Sequence, residues 1–171
     1  MNEINKPLVN RVAQSGLITL KLEDFFPTEE ICIFDLKDYL FKGLILREKD
    51  FREALKTHDW EQYSGKNLAV FCSIDAIIPM WAYMLVTVNA EPVANRVFQG
   101  TPEQFIAFSF FEKISKIDFS QYQNQRVIVK GCADQPIPPF AYAELTNRLR
   151  PVAKSIMFGE PCSTVPIYKK K

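Results

Sequence analysis

An α/β fold, with a mixed, largely parallel sheet flanked by helices, is what this sequence predicts on three observations. Residues 51–102 match residues 110–161 without a gap. Each matched segment holds a short apolar run, "NLAVFC" or "RVIVKG", continuous enough for a strand buried on both faces. Each run lies between stretches that read as helices. The match counts 17 identical residues in 52 aligned positions, where typical residue frequencies give about 3 to 4 by chance. It is read as an internal duplication, and repeats of this kind decide the architecture.

The elements follow in chain order. Within residues 1–50, "LVNRVAQSG" reads as a helix ending in Gly16. "LITLKLEDFF" and "ICIFDL" read as strands separated by "PTEE", and "LKDYLFKGLIL" suits either helix or strand. Each repeat then opens with a helix, "FREALKTH" or "FFEKISKI". The second is introduced by "GTPEQF", where Thr101 is a cap, Pro102 suits the first turn and Gln104 completes a capping box. "DWEQY" and "DFSQY" are turns that precede the strands. After each strand a loop with Asp75 or Asp134 leads to Pro79 or Pro138, a first-turn residue of the next helix. Pro92 and Pro151 interrupt that helix, and "PVANRVFQG" and "PVAKSIMFG" each read as a short second helix ended by glycine. The sum is one α/β domain over 1–171, with a sheet of about four or five strands in which the two repeat strands are joined by a right-handed crossover.

Composition narrows the function. The 171 residues are 47% hydrophobic and 13% aromatic, enough for a core without disulfide or metal staples. With 21 basic and 20 acidic side chains, there is no electrostatic footprint for nucleic acid or an acidic membrane. The one basic cluster, the terminal "YKKK", reads as a solvated tail. The first residues lack a signal-peptide pattern. The longest nearly apolar run, Ala76 to Val86, spans about half a bilayer and contains a proline, so it reads as a buried core helix. A soluble, cytoplasmic protein is expected.

Ligands of open α/β sheets lie beyond the C-terminal ends of parallel strands. Those ends carry Cys72, Ser73 and Asp75 in one repeat and Gly131, Cys132 and Asp134 in the other, while "GEPCSTVP" adds Cys162 after the second repeat. If the two strands are neighbours, thiols and carboxylates converge at one edge. A three-thiolate site from Cys72, Cys132 and Cys162 would suit zinc or an iron–sulfur cluster, with Asp75, Asp134 or His58 as a further ligand. Against it, Cys72 aligns with Gly131 and Cys132 with Ser73, one register apart. Plainer roles compete. Asp75 and Asp134 suit acceptors in a strand-to-helix turn, and Cys32 in "ICIF" suits the core. His58, the only histidine, suits a helix end. The aromatics of "PMWAY" and "PPFAY" have core spacing.

The segments "LREKDFREALKTHDW", "CSIDAIIPMWAYMLV", "VKGC" and "MFGEPCSTVPIYK" together resemble the bacterial family catalogued as domain of unknown function 2480. The resemblance covers nearly the whole chain and implies a stand-alone cytoplasmic protein. Through the association of such proteins with gene neighbourhoods for iron–sulfur cluster assembly, it also implies a use for the cysteines: accepting, storing or handing on iron or sulfur, with iron–sulfur assembly proteins as partners. Three functions are therefore carried forward. The first is a metal- or cluster-binding accessory protein using Cys72, Cys132 and Cys162 with Asp75 and Asp134. The second is an enzyme using a carboxylate pair, or Cys162 as a nucleophile with His58. The third is a protein-interaction module without metal, whose fourteen phenylalanines are not all buried and which an exposed apolar patch would favour.

Overall fold

The structure is a computed structural model and describes residues 16–131, 136–160 and 162–171. The elements run β1 (Leu17–Lys21), β2 (Ile31–Asp35), β3 (Leu40–Phe41), β4 (Ile45–Leu46), α1 (Glu48–Thr57), β5 (Asn67–Phe71), α2 (Met80–Ala90), β6 (Arg96–Gln99), α3 (Pro102–Ser115), β7 (Arg126–Lys130), α4 (Pro139–Leu149), β8 (Ser155–Glu160) and β9 (Ser163–Lys169). The helix expected over "LVNRVAQSG" lies outside the described residues, except that Gly16 takes a left-handed φ of 60°.

The class is α/β with largely parallel sheets, as the sequence predicts. The single sheet is not what forms. The chain makes a three-stranded parallel sheet in the order β2-β5-β6, and a four-stranded sheet β1-β7-β8-β9 in which only β9 is antiparallel. A β3–β4 hairpin stands apart. The two repeat strands β5 and β7 are therefore central strands of different sheets, not hydrogen-bonded neighbours. The sheets belong to two compact units, Pro27–Phe108 and a second that takes residues up to Phe26 and from Ser109 onward.

A second correction concerns "PVANRVFQG" and "PVAKSIMFG". These hold strands β6 and β8, not short helices. Each follows a turn that closes the preceding helix, with Ala94 N–H donating to Ala90 O and Ala153 N–H to Leu149 O, both at 2.8 Å. "LKDYLFKGLIL" resolves into a 3-10 turn over Leu36–Tyr39 and the β3–β4 hairpin. Tyr168 and Lys169, expected in a solvated tail, form the end of β9.

Positions 59 apart occupy matching places. Asn67 pairs with Arg96 in one sheet and Arg126 with Ser155 in the other. Before the two central strands, Gly65 and Asn124 both have positive φ, 68° and 58°, a conformation glycine and asparagine tolerate. Their N–H groups donate to Val93 O at 3.0 Å and Val152 O at 2.8 Å. Gln62 and Gln121 each reach back to the carbonyl of Asp59 or Asp118, and Tyr63 and Tyr122 are buried. The residues recurring in both repeats before the strands are thus turn and core residues.

In the Pro27–Phe108 unit, Leu68 and Val70 of β5 are buried in one cluster with Phe51 and Leu55 of α1 and Ala82 and Val86 of α2, so both helices cover the same sheet face. The capping box at α3 forms as expected: Thr101 N–H donates to Gln104 Oε1 at 2.9 Å, and Gln104 N–H to Thr101 Oγ1 at 3.4 Å. The burial pattern predicts that Leu68→Ala, at 0% exposure, costs about 2–5 kcal/mol in urea unfolding. Ile33→Ala, at 51% exposure on β2, is expected to change stability by no more than about 0.5 kcal/mol.

Candidate functional site

At the C-terminal ends of β5 and β6 the Pro27–Phe108 unit has a cleft of ≈ 440 Å³, lined by polar groups of Cys72, Asp75, Tyr83, Gln99, Thr101 and Gln104 over apolar Phe71, Ile74, Ile78 and Met80. Its position is the one the sequence predicts for a parallel sheet. Local chemistry explains how it is built. Gly100 follows β6 with φ 146°, and a Cβ there would collide with Phe98 and Gln104, so only glycine lets β6 meet α3 this closely. Its N–H donates to Val70 O at 2.9 Å.

The loop after β5 is pinned by a residue that sequence reasoning missed. Asp35, at the end of β2, accepts hydrogen bonds from Lys37 N–H and Ser73 N–H, both at 3.0 Å, and pairs with Lys37 Nζ at 3.2 Å. Burial pushes its pKa up, but the bonds from Ser73 and Lys37 outweigh that and hold it at about 2. The turn-anchoring role expected of Asp75 therefore belongs to Asp35. Asp75 is exposed and has no hydrogen-bond or ion-pair partner among the described residues. The only available signal was weak: an aspartate ending a strand next to a lysine two residues on.

Tyr83 of α2 is hydrogen-bonded to the Gln99 side chain; burial raises its pKa, helped by Cys72 nearby. It is therefore a neutral phenol at physiological pH. Thr101 and Gln104 are committed to each other by the capping box.

His58 of the same unit does not line this cleft. His58 follows α1, before β5, in an aromatic cage of Phe34, Tyr39, Trp60 and Tyr63. Its Nδ1 lies 3.2 Å from Tyr39 Oη, and its Nε2 lies 3.1 Å from Tyr63 Oη and 3.3 Å from Gln62 Nε2. A neutral imidazole satisfies both tyrosines, one nitrogen accepting and the other donating. Burial pushes the His58 pKa below its ordinary value, and the charge of Asp59 offsets only part of this. Burial also pushes Tyr63 up to about 12, with smaller contributions from Tyr39, Cys32 and Asp59. His58 thus has both nitrogens engaged within its own unit.

Cys162 is exposed in the turn between β8 and β9. Cys32 is half-buried against the core cluster, with its thiol 3.9 Å from Glu30 Oε1. Cys132 and Asp134 lie outside the described residues. Among the described residues no group of three or more His, Cys, Asp or Glu side chains is arranged to hold a metal ion. Within the Pro27–Phe108 unit, Cys72 and Asp75 line the same cleft, and His58 does not.

The second unit carries matching positions with different content. Tyr142 Oη donates to Gly131 O at 3.0 Å, and the Phe158 ring meets Tyr142 edge-on at 5.7 Å. Glu160 pairs with Lys130 at 3.0 Å. A separate pocket of ≈ 350 Å³ lies beside α4, β8 and β9, lined by Val129, Tyr142, Thr146, Phe158 and Ile167. Both of its hydroxyls are already bonded, so it offers apolar surface and no reacting group.

The chain is thus an α/β protein of two units, and the Pro27–Phe108 unit has an open polar cleft at its sheet edge. It belongs to the family described as a protein of unknown function (DUF2480), whose model matches residues 6–170. No curated protein and no solved structure matches it.

Two pH responses follow. Asp35 contributes stability that is present above its ordinary pKa of 3.8 and is lost as pH falls through about 2. Asp35→Asn should flatten that acid limb in urea titrations and lower stability at pH 7 by about 1–3 kcal/mol. For His58 the depressed pKa makes its contribution present above 6.5 and lost as pH falls below that value. His58→Gln should remove this step from the melting temperature measured against pH.

Proposed function

We propose that this chain is a protein-interaction module and that α2 carries the docking surface. One observation carries the reading. Met80, Met84 and Val88 stand one turn apart on α2 and are 70%, 67% and 72% exposed, and Ile77 just before them is 89% exposed. The sequence suggests a buried core helix here. Instead Ala82, Val86 and Ala90 bury the opposite side while an apolar stripe faces outward. The fold does not require this stripe. At the matching positions of α4 stand Pro139, Ala143 and Asn147, also exposed. A water-facing position that carries Ala or Asn in one framework and Met or Val in the other points to a partner, and methionine suits an adaptable contact surface.

The accessory role in iron–sulfur cluster assembly lacks a ligand group among the described residues. The enzymatic reading lacks a nucleophile–base pair there. The free cysteines at 32, 72 and 162 support a cytoplasmic setting, where disulfides are rare. Among the described residues no helix is long and apolar enough to cross a membrane. We also infer that the two units descend from one ancestral unit. The matched strand registers and turn hydrogen bonds support that descent.

The test compares immobilised wild-type chain with the double variant Met84→Asp/Val88→Asp. The substitutions are at exposed sites and should alter stability by no more than about 0.5 kcal/mol each. At least one protein retained by the wild type should be lost by the variant, with a measured affinity drop of about 2 kcal/mol or more for a central contact. The control Ala143→Asp/Asn147→Asp on α4 should retain it. An identical set of retained proteins for all three chains would remove the reading.

A further inference from the structure

The cleft at the ends of β5 and β6 has a matching place in the other unit, where the described residues differ. There Tyr142 Oη lies on the backbone of Gly131, and a Cβ at position 131 would collide with that hydroxyl. The Phe158 ring meets Tyr142 edge-on, and Glu160 pairs with Lys130. In the Pro27–Phe108 unit the matching residues are Cys72, Gln99 and Thr101. The tyrosine is kept as Tyr83, and the space stays open at ≈ 440 Å³. That volume falls in the range of small-molecule sites, about 300–1,000 Å³.

The lining decides which ligand chemistry fits. Thr101 and Gln104 are committed to each other, which occupies the N–H groups of both residues. Tyr83 and Gln99 share one hydrogen bond, which leaves further capacity on both. Asp75 is without a partner among the described residues, and no lysine, arginine or histidine lines the cleft. A phosphate or carboxylate entering it would meet a carboxylate and no counter-charge. Ile74, Ile78 and Met80 supply an apolar wall beside Asp75.

The geometry points to a binding site for a small organic cation, an alkylammonium or alkylguanidinium, with its head on Asp75, a second N–H on Tyr83 or Gln99, and its stem along Ile74, Ile78 and Met80. The head can come from a free amine or from a lysine or arginine side chain of another protein; the recognition chemistry is the same. This site shares Met80 with the outward stripe but not Met84 or Val88, and it stands whether or not that stripe docks a partner.

Amide NMR titration of the full chain tests it, with n-butylammonium, n-butylguanidinium and Nα-acetyl-lysine amide as probes and butyrate and n-butanol as isosteric controls. An exposed carboxylate gives a modest ion pair, so saturable shifts at Cys72 and Gly100 are expected with cation dissociation constants of about 1 mM, near −4 kcal/mol. Asp75→Asn should weaken cation binding about tenfold, the scale of one lost charge-assisted bond. Gln99→Phe, which installs the residue found at the matching position 158 of the other unit, should abolish it with the fold intact by circular dichroism. Met84→Asp should leave it unchanged, which separates failure of this site from failure of the docking surface. Tighter binding of Nα-acetyl-lysine amide would assign the head to a protein side chain, and equal or tighter binding of n-butylammonium to a free amine. Absence of saturable shifts, butyrate binding as well as the cations, or undiminished binding by Asp75→Asn would each overturn the proposal.

Discussion

A strand with parallel partners on both sides leaves no edge for water, and in this protein its faces are closed too. Leu68, Ala69 and Val70 of β5 and Val127, Ile128 and Val129 of β7 are all almost fully buried. Burial on this scale needs apolar residues at consecutive positions, and parallel neighbours need crossovers that bring helices onto the sheet. The placement of α1 and α2, the turns with left-handed Gly65 and Asn124, and the cleft beyond the strand ends all follow from that constraint.

What local chemistry encodes was legible in the sequence. The capping box at Thr101 and Gln104, the central strands, the helix starts at Pro79 and Pro138 and the cleft's location are properties of a few adjacent residues. Partner choice between strands is not local. Nothing in "NLAVFC" and "RVIVKG" says that they enter different sheets, because both would suit one. β6 and β8 lie where a proline before and a glycine after suggest a short helix, while pairing with β5 and β7 overrides that weak signal. The site suffered the same way. Asp75 looked like the anchor because it sits in the loop, whereas the anchor, Asp35, lies 38 residues from the Ser73 amide it accepts. Cys132 and Asp134 lie outside the described residues, so half of the proposed convergence has no structural counterpart to compare.

Many residues shared by the two units, such as Tyr63 and Tyr122 or Gly100 and Gly159, hold turns and cores, while the shared Asp75 and Tyr83 line the cleft. Differing ones, such as Met84 and Ala143 or Gln99 and Phe158, lie on the outward helix face and in the cleft. A framework stable in either version leaves those positions open to take on binding roles.

The first two strands have a consequence for how the molecule is made. β1 and β2 are separated by nine residues, yet β2 pairs with residues beginning at Asn67, whereas Leu17 of β1 pairs with Arg126. The Pro27–Phe108 unit is one uninterrupted stretch, and the other brackets it. On a ribosome extending a chain at about 5–20 residues per second, the inner unit can close while β1 waits several seconds for β7 to be synthesised. Until then β1, with Leu17, Ile18 and Leu20, is an unpaired apolar strand. Such transiently exposed strands are where misassociation begins, so the outer unit, completed last, governs how safely the whole chain reaches its fold.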